Sequence, residues 1–355
     1  MKEKTSLVLG IETSCDETAA AVVAGGRAAL ASVVASQDEF HARFGGIVPE
    51  IASRRHVEVV EAVIQEALDR AGIRFADTTA VAVTVGPGLI GSLVVGVAAA
   101  KALAAALCKP LVGVNHLEGH IYSNFLAPEL GAAFEPPGFP HLALVASGGH
   151  CHLVRVTGHG RYEVLGRRRD DAPGEAFEKG ARLLGLGYPG GAALADLADS
   201  GNPHAVEFPV ARIPGSWDFS FSGVKTALAR RVAHEQTLPE TARTRRADLA
   251  AGYQEAIVQA LVQRIEAAAD TLGISLVSVS GGVARNRRLR QALGEWAHRS
   301  GLEIRVPPPE ICTDNAAMIA CAGYFKLVTA RPDALDLDCA ANLELESWGG
   351  GSAPG

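Results

Sequence analysis

The feature that most restricts the fold of this chain is an order of elements that occurs twice. In the first half, apolar strands over 7–12 and 18–23 enclose a turn, 13–17, that is crowded with hydroxyl and carboxylate side chains. A further apolar strand over 80–85 ends in the glycine-rich segment 86–92, and an alanine-rich helix follows. A strand, a glycine turn and a helix N-terminus together form a natural cradle for an anion.

The second half repeats this order. Strands over 142–146 and 151–156 enclose a second polar turn, and a strand over 276–279 ends in the glycine turn 280–282, ahead of a basic helix over 283–300. The repeat is stronger in the order of elements than in the letters. It predicts a two-lobed α/β fold built from two related βββαβα halves with a central cleft, which resembles the actin, hexokinase and heat-shock ATPase superfamily.

Further elements are predicted from local signals. A third strand over 28–36 precedes a helix that Pro49 opens and that runs to about Ala71. Thr313 is placed to cap the last helix. We expect an N-terminal lobe over 1–133, a C-terminal lobe with an insertion over 134–325, and a segment over 326–355 that has the option of returning to the first lobe. The proline-rich segment 134–140 has the composition of a hinge.

Composition excludes several classes of protein. The 355 residues are 48% hydrophobic and 20% charged, and no uninterrupted apolar run reaches the roughly 18 residues of a membrane-spanning helix. None of the six cysteines forms a C-x-x-C pair, which disfavours a zinc ribbon or a disulfide framework. We therefore expect a cytoplasmic protein with no membrane association. The formal net charge of -6 argues against a globally basic nucleic-acid binder.

Two histidines four residues apart, His116 and His120, begin a segment over 116–126 with a helical pattern. On one helix face both imidazoles can hold one cation. For two isolated histidines, hydrogen bonding to backbone in a half-buried helix is the more common arrangement. A metalloendopeptidase is an alternative, but zincins carry H-E-x-x-H, and here Glu118 is displaced by one position, about 100° around the helix.

A series of short motifs, in order along nearly the whole chain, resembles those of a single family. They occupy 10–18, 45–50, 87–93, 115–120, 147–150, 174–177, 188–191, 221–225, 280–286 and 314–315. The family is that of the universal tRNA threonylcarbamoyladenosine transferases, once described as glycoproteases. The resemblance implies an acyltransferase that moves a threonylcarbamoyl group from threonylcarbamoyl-AMP to N6 of the adenosine just 3′ of the anticodon, in tRNAs that read codons beginning with A.

The same resemblance implies a cofactor and a set of site residues. His116, His120 and Asp314 hold one divalent ion in the family pattern, iron first, with zinc or another divalent ion as the alternative. Without the resemblance, Asp314 is explained as a carboxylate that favours a helix N-terminus. The resemblance also implies that a larger set of residues binds the nucleotide ligand, which is threonylcarbamoyl-AMP or ATP/ADP: Val145, Ala146, Ser147, Gly148, Gly149, Glu178, Gly191 and Asn286.

Two positions depart from the family pattern. The family usually has aspartate where this chain has Glu178, so the carboxylate is kept on a longer stem. Many members also have an aspartate where this chain has Ala195, with Asp196 beside it, and that contact is left unassigned. On the first hairpin turn, Glu12 and Asp16 are candidates for a polar or general-base role, although a turn carboxylate is more often a local hydrogen-bond acceptor.

Partners follow from the resemblance as well. It implies tRNA as substrate, a smaller paralogous subunit of the same fold, and a small P-loop ATPase subunit. Arg287, Arg288 and neighbouring basic side chains are expected to contribute to the tRNA docking surface. A sugar-kinase-like ATPase of the same superfamily is a further alternative, but such an enzyme has no need of a His-x-x-x-His pair.

Overall fold

The structure is a computed structural model that describes residues 5–127, 134–242 and 244–349. Its strands are β1 (Leu7–Glu12), β2 (Glu17–Ala24), β3 (Ala28–Ser36), β4 (Ala80–Gly86), β5 (Leu111–Asn115), β6 (His141–Ala146), β7 (Cys151–Gly158), β8 (Arg161–Arg167), β9 (Leu276–Ser280) and β10 (Glu303–Arg305). Its α-helices are α1 (Asp38–Ala42), α2 (Pro49–Ala71), α3 (Ile90–Ala106), α4 (His116–Tyr122), α5 (Pro173–Leu183), α6 (Gly190–Ala198), α7 (Ser222–Thr237), α8 (Arg246–Leu272), α9 (Arg287–Ser300) and α10 (Ala316–Thr329).

The chain divides into two compact units. Of the described residues, unit 1 contains those within Met1–Phe139, Val156–Glu163 and Pro307–Gly355, and unit 2 those within Pro140–Arg155 and Val164–Val306. Each unit has its own five-stranded sheet. The two sheets have the same order, β3-β2-β1-β4-β5 and β8-β7-β6-β9-β10. The predicted duplication of a βββαβα plan is therefore confirmed.

Unit 1 is a mixed sheet covered by helices on both faces. β1 pairs antiparallel with β2 and parallel with β4. Because successive side chains of a strand point to opposite faces, Val8 packs with α4 and α10 while its neighbour Leu9 packs with α2 and α3. The core of this unit is thus two apolar layers separated by the sheet.

The helix α10 packs directly against β1. A Cβ on Gly10 would lie 2.2 Å from the carbonyl oxygen of Ala316 and 2.9 Å from the Cβ of Ala320, so only glycine permits this approach. The chain therefore returns to unit 1 at Pro307. This differs from the expected return at 326, because α10 fills one face of the first sheet. The expected boundary at 133 lies outside the described residues, whereas the segment 134–140 contains the division between units at Phe139 and Pro140.

Unit 2 is built around the parallel pair β6 and β9 and the long helix α8. β6 pairs with β9 from Leu142 opposite Val277 to Val145 opposite Ser280, and every residue of β6 is buried. α8 buries most of its length and ends at Gly273, which adopts a left-handed conformation. The predicted insertion between β8 and β9 contains α5, α6 and α7 as well as α8.

Several predicted boundaries need correction. The helix expected over 116–126 is α4, which ends at Tyr122 and is followed by a 3-10 turn. The basic helix begins at Arg287, because a 3-10 turn occupies Gly282–Arg285 and the side chain of Asn286 caps α9. The cap of α10 is Asn315, whose side chain accepts a hydrogen bond from the amide of Met318, and Thr313 lies outside the helix. Within the described residues, no helix is long and apolar enough to cross a membrane.

Candidate metal and nucleotide sites

In unit 1, α4 and the segment before α10 bring together three side chains that can ligate a metal. One ligand atom from each of His116, His120 and Asp314 lies within 4.8 Å of the others. Asp314 Oδ1 is 3.5 Å from His116 Nε2 and 3.2 Å from His120 Nε2. Two ligands of one tetrahedral zinc, each about 2.1 Å from the ion, would be separated by about 3.4 Å. The spacing of the carboxylate oxygen from both imidazoles thus suits a shared cation.

The three side chains come together for local reasons. Asn115 ends β5 and caps α4, since its side chain accepts a hydrogen bond from the amide of Leu117 at 2.9 Å. The helix that follows places the two imidazoles one turn apart, with ring centroids 4.7 Å from each other. Asn115 and Asn315 therefore act alike, because each caps the helix that begins beside a candidate ligand.

Burial makes this cluster unusual. Both histidines are buried, and among the described residues neither ring nitrogen of His120 makes a hydrogen bond. An unsatisfied imidazole in a dry interior costs free energy, roughly 1–3 kcal/mol. A cation held at His120 Nε2 would remove much of that cost. The predicted ligand set therefore fits a metal on its geometry and on its unmet hydrogen bonding.

Glu12 lies behind His116. Its Oε2 is 3.1 Å from His116 Nδ1 and accepts a hydrogen bond from Thr84 Oγ1 at 2.6 Å, while its Oε1 accepts one from the amide of Ser14 at 2.5 Å. With Nδ1 turned to Glu12, the lone pair of His116 Nε2 is directed at Asp314 and the candidate cation. Carboxylates commonly orient metal-binding imidazoles in this way.

The ionisable groups of this site are strongly perturbed. Burial opposes charge on His116, but Asp314 and Glu12 outweigh it and raise the pKa of His116 to about 9. Burial likewise opposes charge on Glu12, and the neighbouring His116 lowers its pKa overall. The buried carboxylate of Glu12 and the partly exposed carboxylate of Asp314 therefore favour a positive charge between them. A proton on His116 can meet that demand, and a divalent cation would meet it more fully.

The two carboxylates predicted as polar or general-base groups have different surroundings. Glu12 is fully buried and both of its oxygens are engaged, so it is placed to position His116 rather than to meet a substrate. Asp16 is also buried and lies beside the side chains of Cys15 and Glu17. It does not belong to the group of three side chains that could hold a metal.

Glu118 is turned away from the candidate cation site. It is buried and accepts a hydrogen bond from the hydroxyl of Tyr162 at 2.6 Å. Burial raises the pKa of Glu118 to about 7, and the Tyr162 hydrogen bond offsets part of the rise. A metalloendopeptidase needs this glutamate beside the metal to activate water. Its position disfavours that alternative.

In unit 2, the predicted nucleotide residues gather at the ends of β6 and β9. Val145 and Ala146 end β6, and the exposed glycines 148 and 149 form the following turn. Ser147 and Gly148 accept hydrogen bonds, through their carbonyl oxygens, from the amides of Gly174 and Glu175 at the start of α5. The start of α5 thus holds the turn in place, while the glycine backbone of the turn stays exposed to solvent.

Gly281 closes the other side of this turn. Its φ is +91°, and a Cβ there would lie 2.3 Å from the carbonyl oxygen of Ala146. Only glycine allows β6 and the end of β9 to approach so closely. The predicted glycine cradle of the second half is therefore assembled from two neighbouring strands.

The remaining residues predicted to bind the nucleotide already form hydrogen bonds within the protein. Glu178 accepts hydrogen bonds from the amides of Gly190 and Gly191, at 2.8 and 2.7 Å. Its longer stem, compared with aspartate, thus reaches the N-terminus of α6. Asn286 caps α9 through its oxygen and donates through its amide nitrogen to Gln254 at 2.7 Å. These residues have a structural function as well as any contact with a ligand.

Two aspartates that the sequence reasoning did not assign organise the insertion of unit 2. Asp170 accepts hydrogen bonds from the amides of Phe221 and Ser222 at the start of α7. Asp171 forms ion pairs with Lys179 and Lys225, each at 2.6 Å. The only sequence signal for them is the unusual doublet ahead of Pro173, because their partners lie far along the chain.

The arginines proposed for tRNA docking are neutralised by carboxylates. Arg287 pairs with Asp196 at 2.8 Å and also with Asp199. Arg288 pairs with Glu255 at 2.7 Å. The expectation that Arg287, Arg288 and neighbouring basic side chains contribute to a tRNA docking surface stays a prediction, and both arginines already pair with carboxylates of this chain. Asp196, next to Ala195, forms its ion pair with Arg287.

Comparison with known proteins decides the family. The sequence profile of the tRNA N6-adenosine threonylcarbamoyltransferases matches residues 28–321. The chain belongs to this family. It is 52% identical over 339 residues to the threonylcarbamoyltransferase of Symbiobacterium thermophilum, covering 96% of this chain and 97% of that one. It is 54% identical over 333 residues to that of Anaeromyxobacter dehalogenans, covering 93% and 97%.

Solved structures of low sequence identity agree on the fold of this chain. HypF of T. kodakarensis matches with a TM-score of 0.61 at 15% identity, over 92% of this chain and 48% of HypF. Component A of the (R)-2-hydroxyglutaryl-CoA dehydratase of Acidaminococcus fermentans matches with a TM-score of 0.52 at 16% identity, over 92% and 99%. The predicted actin/hexokinase-like fold and the predicted transferase activity in tRNA modification are both confirmed.

Proposed function

We propose that the chain transfers the threonylcarbamoyl group of threonylcarbamoyl-AMP to N6 of the adenosine 3′ to the anticodon, in tRNAs that read codons beginning with A, at a site where His116, His120 and Asp314 hold one divalent cation. The observation that carries this proposal is the buried pair of imidazoles facing one carboxylate, where the ring nitrogens of His120 make no hydrogen bond to any described residue. We expect the ion to be iron, with zinc or another divalent ion as the alternative.

The chemistry explains why such a cation is useful. The exocyclic amine of adenine is a poor nucleophile, so the carbonyl of the donor must be polarised and its AMP leaving group stabilised. A divalent ion with two neutral imidazoles and one carboxylate keeps a net positive charge and open positions for oxygen ligands. The chain's own contribution is to hold Nε2 of both imidazoles toward Asp314, and Glu12 does this for His116 by fixing its Nδ1.

The adenylate is assigned to unit 2. We propose that the backbone of Ser147, Gly148 and Gly149, after Val145 and Ala146, lies against the phosphate and ribose, as an open glycine turn allows. Glu178, Gly191 and Asn286 would line the nucleoside side and contact it through lone pairs and N–H groups that are not used in their hydrogen bonds within the protein. The same turn would accept ATP or ADP as well as threonylcarbamoyl-AMP, because all three share the adenosine phosphate unit.

The deciding experiment is transfer from supplied threonylcarbamoyl-AMP to unmodified tRNA, with and without a chelator. We expect modified adenosine with the metal-loaded protein, a loss of product with chelator, and recovery when iron or zinc is restored. Inductively coupled plasma analysis of the purified protein identifies the ion. Product formation that is indifferent to the chelator, in protein that holds no metal, would exclude the proposed site.

We also infer partners from the family. A smaller subunit of the same fold and a small P-loop ATPase would assemble with this chain in the cytoplasm, and tRNA would be the substrate. Exposed apolar side chains of α2 and α3 support a protein partner on unit 1: Val57 is 65% exposed, and Ile90 and Val94 are each 51% exposed. Size-exclusion chromatography of the purified chain with each candidate subunit tests this assembly.

A further inference from the structure

Unit 2 has a cavity that none of the assigned residues explains. It occupies about 700 Å³ between the segment 211–217 and one side of α8, where its lining includes Gln263 and Arg264. Its volume lies within the range of sites that hold a small ligand, roughly 300–1,000 Å³. Its lining contains none of the residues assigned to the adenylate.

The polar groups of the cavity are positively charged. Arg212 and Arg264 line it together, and none of the described residues in its lining carries a carboxylate. No described residue forms a hydrogen bond or an ion pair with the side chain of Arg212, which is exposed. Arg264 donates hydrogen bonds only to carbonyl oxygens, those of Ser216 at 3.2 Å and Ala211 at 3.4 Å. Two guanidinium groups thus share one cavity without a bonded counter-charge.

The nearest acid does not neutralise them. Burial lowers the pKa of Arg264, the carboxylate of Asp218 partly offsets this, and the charge of nearby Arg212 lowers it again. Asp218 itself is already engaged, because it pairs with Arg169 at 2.8 Å and accepts a hydrogen bond from the amide of Arg167 at 2.9 Å. The cavity therefore keeps a positive potential in a chain whose formal net charge is -6.

The other half of the lining is apolar and includes one large aromatic side chain. Trp217 is half-buried and lines the cavity together with Ile213 and Pro214. Guanidinium groups and an aromatic side chain in the lining of one cavity suit a ligand that has both a phosphate and a flat ring, which is the chemistry of a nucleotide. The tryptophan would stack on the base, and the arginines would bind the phosphate.

We propose that this cavity receives one nucleotide of the tRNA substrate, with its phosphate between Arg212 and Arg264 and its base against Trp217. The proposal rests on the proposed function, which makes tRNA the substrate of this chain. Arg287 and Arg288 form ion pairs with carboxylates, whereas no described carboxylate is bonded to Arg212 or Arg264. A free nucleotide has the same chemistry, and the experiment must separate the two sources.

The test measures tRNA binding by the full-length chain over a range of salt concentrations. Arg212→Ala is the main variant, because Arg212 holds no other described residue in place. We expect its Kd for tRNA to rise about three-fold or more and the slope of log K against log salt to fall by about 0.7–0.9, the loss of one phosphate contact. Arg230→Ala removes the same charge from the exposed face of α7 and should change neither quantity.

A second pair of variants probes the base. Trp217→Leu should raise the Kd for tRNA about five-fold or more, the loss of one stacked base, and Trp217→Phe should retain most of the affinity. Thermal melting of each variant verifies that the segment 211–217 still packs. Equal effects from Arg230→Ala and Arg212→Ala, or an unchanged salt slope in Arg212→Ala, would overturn the proposal.

Titration with free AMP separates the two sources. If Arg212→Ala weakens binding of AMP and leaves the affinity for tRNA intact, the cavity serves a free nucleotide and the tRNA proposal is wrong. Transfer at saturating tRNA distinguishes this inference from the proposed function. The Arg212→Ala enzyme should keep its kcat and show a raised KM for tRNA, whereas failure of the proposed function would appear as absent transfer in the unaltered chain.

Discussion

The candidate sites of the two units use different chemistry on the same frame. In unit 1, four ionisable side chains converge in a buried space, and the carboxylate of Glu12 is fully enclosed. In unit 2, the equivalent end of the sheet has an exposed glycine turn and presents backbone rather than charge. The first strand of each sheet leads into the site, through Glu12 in one and Ala146 in the other. One duplicated plan thus supplies an electrostatic site and a backbone cradle.

The proposed sites predict that damage to unit 1 removes activity through loss of the metal, and damage to unit 2 through weaker binding of the donor. The largest effect is expected for His120→Ala. Transfer should fall more than about 100-fold, because loss of a carboxylate that only supports a metal ligand costs 10- to 100-fold and His120 is proposed as a direct ligand. Metal content and initial rates are the measurements. His298→Ala, on the exposed end of α9, is the matched control. A His120→Ala protein with full metal and full rate would contradict the ligand assignment.

The next effect is expected for Glu12→Gln. The amide keeps the shape but not the charge, so the hydrogen bond that orients His116 weakens and metal affinity should fall about 10- to 100-fold. Competition with a chelator of known affinity measures it. Glu50→Gln, at an exposed position of α2, should change nothing. If metal affinity is retained while transfer is lost, Glu12 acts on the substrate as a general base and is not merely a residue that positions His116.

A smaller effect is expected in unit 2 from Gly281→Ala. The added Cβ would collide with the carbonyl of Ala146, at a φ that side chains rarely adopt, so the cradle should widen at a cost of about 1–3 kcal/mol. We expect the KM for threonylcarbamoyl-AMP to rise about ten-fold while metal content stays unchanged. Gly294→Ala, in an open position of α9, should be neutral or stabilising by up to about 1 kcal/mol. Loss of metal in Gly281→Ala would show that the candidate metal site of unit 1 and the glycine turn of unit 2 do not act independently.

The smallest effect is expected from Asp170→Asn, which weakens the start of α7 and should lower the free energy of unfolding by about 2 kcal/mol. Burial opposes charge on Asp170, but hydrogen bonds from Ser220, Phe221 and Ser222 outweigh it and lower its pKa. Because the folded state then binds the proton less readily, this stabilisation is present above the ordinary carboxyl pKa, about 3.9, and disappears as the pH falls through the lowered value. Denaturant melts at pH 7 and below pH 4 should therefore differ less in the variant.

Local patterns predicted the frame and part of the sites. The strand over 28–36 and the helix from Pro49 to Ala71 were predicted at their observed bounds, because alternation, proline and glycine act within a few residues. The helical spacing also predicted that His116 and His120 share a face. The carboxylate of Asp314 could be added only through the family resemblance, since nothing near residue 116 indicates it.

The missed features depend on contacts between distant parts of the chain. The pairing of Glu12 with His116 joins residues 104 positions apart, and the hydrogen bond from Phe221 to Asp170 spans 51. No periodicity encodes such pairs. The ion pair of Arg287 with Asp196 was missed for the same reason. Asn315 rather than Thr313 caps α10, a choice between neighbours that only the hydrogen bond reveals.

The return of the chain to unit 1 at Pro307 has a consequence for biosynthesis. The two imidazoles leave the ribosome long before Asp314 and before α10, which covers β1 through its contact with Gly10. A nascent chain therefore carries an incomplete candidate ligand set until its last segment has been made. Premature termination after Val306 would keep both histidines and the glycine turns in the sequence, yet the product would lack Asp314, the third residue of the candidate cation site.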